Sequence, residues 1–127
     1  MTFVDTNYIL RFLLHDIEEQ YNQAKQLFKE AARDEVTLIT STLVFFEIHW
    51  VLKGTYGKNR EKIAIKLEKF LSLSITIEEQ SLLFETVSLF KTKNLSLEDC
   101  YNLCFAKSKK VQDFQTFDQK LKKAFNN

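Results

Sequence analysis

Short apolar runs alternate with longer stretches of helical periodicity from one end of this chain to the other. Residues 2–4, 36–39 and 75–77 are brief, apolar and β-branched, as strands inside a sheet are, and residues 111–115 are a fourth, weaker run. Between them, residues 6–14, 18–33, 42–52, 59–71, 80–93, 97–109 and 118–125 read as helices. In 18–33 one side carries Tyr21, Ala24, Leu27, Phe28 and Ala31, and in 59–71 it carries Ile63, Leu67, Phe70 and Leu71. Strands separated by helices predict an α/β fold, three layers deep, with a mainly parallel central sheet flanked by helices. The expected strand order is 3-2-1-4. The winding reverses beside strand 1, and ligands bind there, outside the carboxyl ends of the strands. There is no proline, only Gly54 and Gly57, and no repeat or linker. Residues 1–127 therefore read as a single domain.

Composition narrows the function classes. A hydrophobic content of 45% supports a packed core and excludes a disordered chain. No apolar stretch approaches the roughly 20 residues of a membrane span, and residues 1–7 resemble neither a basic leader nor a cleavage site. The expectation is a cytoplasmic protein without membrane contact. The net charge of +1 lacks the excess of a dedicated nucleic-acid binder. Acids gathered in one pocket would nevertheless leave the remaining surface basic, and Lys53, Lys58, Arg60, Lys62 and Lys66 form one basic stretch and Lys107, Lys109 and Lys110 another. As charge runs alone these also fit solvated helix faces. Cys100 and Cys104 lie one helical turn apart, where a bridge would constrain little, and read as small buried residues.

Four acidic residues stand where a soluble fold has little reason to put them. Asp5 closes the first strand, Glu47 lies inside an apolar run, Asp99 opens a helix after Ser96, and Asp118 ends the segment Phe114-Gln-Thr-Phe. A buried carboxylate is costly unless a proton, a cation or hydrogen bonds compensate it. Each has a structural alternative. Asp5, Thr6 or Asn7 could cap the first helix, although Thr6 and Asn7 suffice for that and leave Asp5 free. Glu47 has Leu43, Val44, Trp50 and Val51 as its i±3 and i±4 neighbours, which predicts that it projects from an apolar face. A surface or ion-paired Glu47 is the other reading. Asp99 fits the third position of a capping box begun by Ser96, and Thr116 with Gln119 could cap the last helix beside Asp118. Converging at strand ends, the four would form a site for a divalent metal ion and point to metal-assisted phosphodiester hydrolysis.

The residues that carry these acids resemble the PIN-domain family, and within it small toxin ribonucleases of the VapC type. Phe3-Val-Asp-Thr-Asn-Tyr-Ile-Leu-Arg11 is similar to the family's first motif and Phe45-Phe-Glu-Ile48 to its second. Ser96-Leu-Glu-Asp-Cys-Tyr-Asn-Leu-Cys-Phe-Ala106 is similar to the third, and Gln115-Thr-Phe-Asp118 to the last. The four follow in order over nearly the whole chain. The resemblance implies an endoribonuclease dependent on Mg²⁺ or Mn²⁺, a homodimeric toxin with an RNA substrate and a cognate antitoxin protein. It implies Asp5 and Asp99 as principal metal ligands, Glu47 and Asp118 completing the pocket, and Thr6, Asn7 and Thr116 orienting carboxylates or binding phosphate. The oxygen donors suit Mg²⁺ or Mn²⁺ better than zinc. The alternative is a PIN-like domain that binds RNA or protein without cutting. A haloacid-dehalogenase phosphatase would need a second Asp where Asn7 stands, and a receiver would need an exposed Asp after a central strand, where residues 39–42 and 75–78 offer none.

Overall fold

The computed structural model describes residues 1–127, which fall into two units, Met1–Gln80 and Ser81–Asn127. The first contains the strands β1 (Thr2–Phe3), β2 (Leu38–Thr40) and β3 (Thr76–Ile77). It also contains the helices α1 (Thr6–Leu14), α2 (Glu18–Ala32), α3 (Thr42–Tyr56) and α4 (Arg60–Leu71). The strands are parallel and ordered β1-β2-β3, with Thr2 beside Leu38, Phe3 beside Ile39, Ile39 beside Thr76 and Thr40 beside Ile77. Parallel neighbours need a crossover between them, and α1–α2 and α3–α4 are those crossovers.

α1 packs against α2, α3 and α4. Ile9, Leu10 and Leu13 of α1 are essentially sealed from solvent, as are Phe45, Ile48 and Leu52 of α3 and Leu67, Phe70 and Leu71 of α4. This apolar core holds the carboxyl end of β1 in place. The Thr40 hydroxyl adds to it by donating to the Val4 carbonyl at 2.8 Å, inside the protein. α3 does not stop at residue 52 but runs to Tyr56. Its end is Gly57, at φ +60°, whose N–H donates to the Lys53 carbonyl at 2.8 Å. That backbone geometry favours glycine, so Gly57 rather than Gly54 is the terminator.

α5 (Gln80–Thr92) opens at the boundary, and the second unit continues with α6 (Leu97–Ser108) and α7 (Gln119–Asn126). Leu83, Thr86, Val87 and Phe90 of α5 are buried, as are Leu97, Cys100, Leu103 and Ala106 of α6. The fourth strand expected at residues 111–115 does not form, so the order 3-2-1-4 is realised only in its first three members. The segment's polar groups are taken up locally instead. Asp113 accepts from its neighbour Phe114 N–H at 2.8 Å. Lys122 donates to the Phe114 carbonyl at 2.7 Å and to the Asp113 carboxylate. Those contacts hold the Asp113 carboxyl below its usual range, the Lys122 hydrogen bond first.

Candidate active site

Asp5 is the residue that caps α1. Its extended backbone (φ −83°, ψ 163°) turns the chain from β1 into the helix, and its Oδ1 accepts from the Thr6 N–H at 2.8 Å. The expectation that Thr6 or Asn7 would leave Asp5 free of capping is therefore corrected, because the acid occupies the half-in position that a cap requires. Only one oxygen is used, and Oδ2 accepts no hydrogen bond within the protein.

Thr6 then reaches in the other direction. Its buried hydroxyl donates to Glu47 Oε1 at 2.9 Å across 41 residues of sequence. One residue thus binds two carboxylates, Asp5 through its backbone and Glu47 through its side chain. Glu47 is half-buried on α3, and its Oε2 is also without a hydrogen bond inside the protein. Of its helical neighbours only Val44 lies in the core. Leu43 is 61% exposed and Trp50 55%, so the apolar face around Glu47 is turned to solvent in the single chain. His49 points the other way. It is buried, and burial first, then Lys53 and Arg60, push its imidazole down to about 4.

In the second unit, Ser96 caps α6 by accepting from the Asp99 N–H at 3.1 Å. The Asp99 carboxylate makes no return bond, so the capping box is half-formed. It is half-buried in the first turn of α6 without a hydrogen bond or ion pair. The free N–H groups of that turn favour an anion there. Asp118 caps α7 itself, its Oδ1 accepting from the Leu121 N–H at 3.1 Å, while Thr116 Oγ1 accepts from the Asp118 N–H at 3.1 Å. Thr116 therefore fixes the backbone of the capping residue and does not replace it.

Asn7 is exposed, and it shares a cleft of about 440 Å³ with Tyr8, Arg11, Gln20 and Gln23. Gln20 and Gln23 do not stand out in the sequence, since exposed glutamines on a helix carry no signal until a neighbouring helix makes them walls of a cleft.

A model of the PIN domain matches residues 2–125. The chain belongs to the PIN-domain family. No curated protein matches the sequence. Among solved structures, the chain is similar to the Mycobacterium tuberculosis toxin VapC20, which cleaves the sarcin-ricin loop. The two are 19% identical, the alignment covers 98% of this chain and 95% of that one, and the TM-score is 0.46. The family is one of RNA-cleaving hydrolases that use divalent metal ions.

The donors of this PIN domain fit such an ion in chemistry. Asp5 and Glu47, both bonded to Thr6, each keep a carboxylate oxygen without a hydrogen bond, and in the second unit the Asp99 carboxylate keeps both. These are hard oxygen donors of the kind that Mg²⁺ and Mn²⁺ take, with water filling the remaining positions. Within neither unit do three Asp, Glu, His or Cys side chains gather into a ligand group of their own. In the first unit, then, the local donor set is the pair that Thr6 joins.

Proposed function

We propose that this PIN domain is an endoribonuclease that hydrolyses RNA phosphodiester bonds with Mg²⁺ or Mn²⁺, and that it is the toxin of a toxin–antitoxin pair. The observation that carries this reading is Thr6, which holds the first-motif and second-motif carboxylates at once and leaves an oxygen on each for a cation. Asp5 and Asp99 are the principal ligands, with Glu47 and Asp118 completing the set, and residues 1–127 act as one functional domain. Asp118 keeps Oδ2 for that purpose while Oδ1 caps α7. When bound, the cation supplies charge against the developing negative charge of the phosphoryl group and makes a water more acidic.

The chain's own residues do the rest. Thr6 fixes the orientation of Glu47 through Oε1, so that Oε2 is held ready to take the proton of the attacking water. The cap bond from the Thr6 N–H does the same for Asp5. Thr116 holds the Asp118 backbone in its capping conformation, and Asn7 is placed to meet phosphate. A protein of this kind works in the cytoplasm, and no helix is long and apolar enough to cross a membrane. Leu43 and Trp50, exposed one heptad apart on α3, support a homodimer that covers them, and apolar surface of this type suits an antitoxin as well. The test is cleavage of RNA by the purified protein with Mg²⁺ or Mn²⁺, with chelator, and by Asp5→Asn. Cleavage in metal alone, absent from the variant, is the expected outcome. Intact RNA in both metals refutes the reading.

A further inference from the structure

The cleft where α1 packs against α2 has a chemistry that, Asn7 apart, the proposed cleavage site does not use. Its walls are Asn7, Tyr8, Arg11, Gln20 and Gln23, and its volume is about 440 Å³. Three of the five are primary amides, and none of Asn7, Gln20 and Gln23 spends its side-chain amide on a bond within the protein. Each amide presents a donor and an acceptor side by side. Tyr8 is tied down by its hydroxyl, which donates to the Gln23 carbonyl at 3.3 Å, and its ring meets Phe28 edge-on. It is a fixed wall.

Arg11 is the one cation of the cleft, and it is incompletely paired. Its Nη1 contacts Asp16 Oδ2 at 3.1 Å, but Asp16 is 46% exposed, and its Nε is out of solvent without any partner. An exposed pair of this kind holds weakly, so little opposes the transfer of the guanidinium to a phosphate, which it can grip with two parallel bonds. Apart from Arg11 the lining is uncharged. An apolar peptide helix would find few contacts there, whereas a nucleotide would find a cation for its phosphate and amides for its base edge.

The cleft's position supports the same ligand. Asn7 stands in the first turn of α1, two residues beyond Asp5, and Arg11 lies one turn further along the same side. Arg11 lies six residue steps beyond Asp5, about 9 Å along the axis. A strand whose phosphate lay at Asp5 would have its neighbouring nucleotides within reach of this cleft. Single-stranded RNA presents its bases for such edge-on reading, with aromatic or guanidinium planes beside them. An unpaired base presents an adjacent donor and acceptor on its Watson–Crick edge, and a carboxamide can match such a pair with two bonds.

We propose that this cleft is a base-reading subsite for one nucleotide of the RNA, with Gln20 and Gln23 reading the base edge and Arg11 holding the phosphate. The subsite rests on the ribonuclease reading above and adds selectivity to it. Two measurements on the full chain test it. The first titrates adenosine and uridine 5′-monophosphates into metal-free protein and follows the amide resonances of α1 and α2. The monophosphates are expected to shift Asn7, Arg11, Gln20 and Gln23, and Arg11→Met to weaken that binding roughly tenfold. The second compares the base preference of cleavage by wild type and by Gln20→Leu/Gln23→Leu, both exposed positions that tolerate the change. The discrimination of wild type among bases beside the cut is expected to fall roughly tenfold in the double variant. Either no shift at these residues, or an unaltered preference in the double variant, overturns the subsite. Nucleotide binding without RNA cleavage would instead refute the ribonuclease and keep the subsite, because the titration needs neither metal nor turnover.

Discussion

A pair of substitutions separates the cap that Asp5 forms from its proposed role as a ligand. As a cap it gives one oxygen to the Thr6 N–H at 2.8 Å, and as the proposed ligand it would give its charge and its other oxygen. Asp5→Asn keeps an acceptor in the capping position and loses the charge, whereas Asp5→Ala loses both. Asn and Asp cap about equally well, and replacing either by Ala costs about 1 kcal/mol. For a chain of 127 residues this is a fall in Tm of about 3–5 °C. In chelator the Asn variant is therefore expected to melt with wild type or slightly above it, since removing one of two acids around Thr6 relieves repulsion. The Ala variant melts lower by the amount of the cap. Mn²⁺ then separates the other role. A cation at 100 times its Kd stabilises the folded state by about 2.7 kcal/mol, roughly 10 °C here, and this gain is expected in wild type alone. Scanning calorimetry of the three proteins in chelator and in Mn²⁺ reads both effects. If Asp5→Asn falls as far as Asp5→Ala in chelator, or still gains stability from Mn²⁺, the separation of cap from ligand is wrong.

Three further outcomes follow from single contacts. Thr6→Val keeps the shape of a buried side chain but removes the donor to Glu47 Oε1; cleavage is expected to fall about tenfold or more, while Thr6→Ser retains most of it, as measured by initial rates. His49 has a folded pKa of about 4 against an ordinary 6.5, so between those values the unfolded chain binds more protons than the folded one. Stability is therefore expected to decline as pH falls from about 6.5 towards 4, by roughly 3 kcal/mol in all, and His49→Gln flattens that slope in denaturant titrations. Lys122→Met removes the donor to Asp113 and to the Phe114 carbonyl, and amide exchange should rise across residues 111–118 with little change elsewhere.

The helices were legible because their apolar spacing is local. α1 spans residues 6–14 as expected, and α2, α4, α5 and α6 differ from expectation by a residue at an end. Strands of two or three residues were not so well defined. β2 begins at Leu38 rather than at residue 36 because the chain first has to leave α2 through Asp34, held at φ +61°, with Glu35 N–H bonded to the Glu30 carbonyl at 2.9 Å. The missing fourth strand has a related cause: Asp113 and Lys122 satisfy the segment's polar groups from within, and no ladder is needed to do so. Of the candidate site, the four acids stand out in the sequence as charges out of place, and the order of their motifs resembles that of the family. The bond from Thr6 to Glu47 was not visible, since it joins residues 41 apart through a tertiary contact. Nor was the choice of cap, because Asp, Thr and Asn at residues 5–7 all satisfy the same local rule.

The proposed cleavage is hydrolysis by water, with carboxylates and a divalent cation as the machinery. An end-labelled single-stranded RNA, and the same strand carrying one 2′-deoxynucleotide at the cleavage position, distinguish that chemistry from attack by the ribose hydroxyl. Both strands should be cut in Mn²⁺ at comparable rates, neither in chelator, and the products should end in linear phosphates and free hydroxyls. A 2′,3′-cyclic phosphate, or loss of cleavage at the deoxy position with cutting undiminished in chelator, would contradict it.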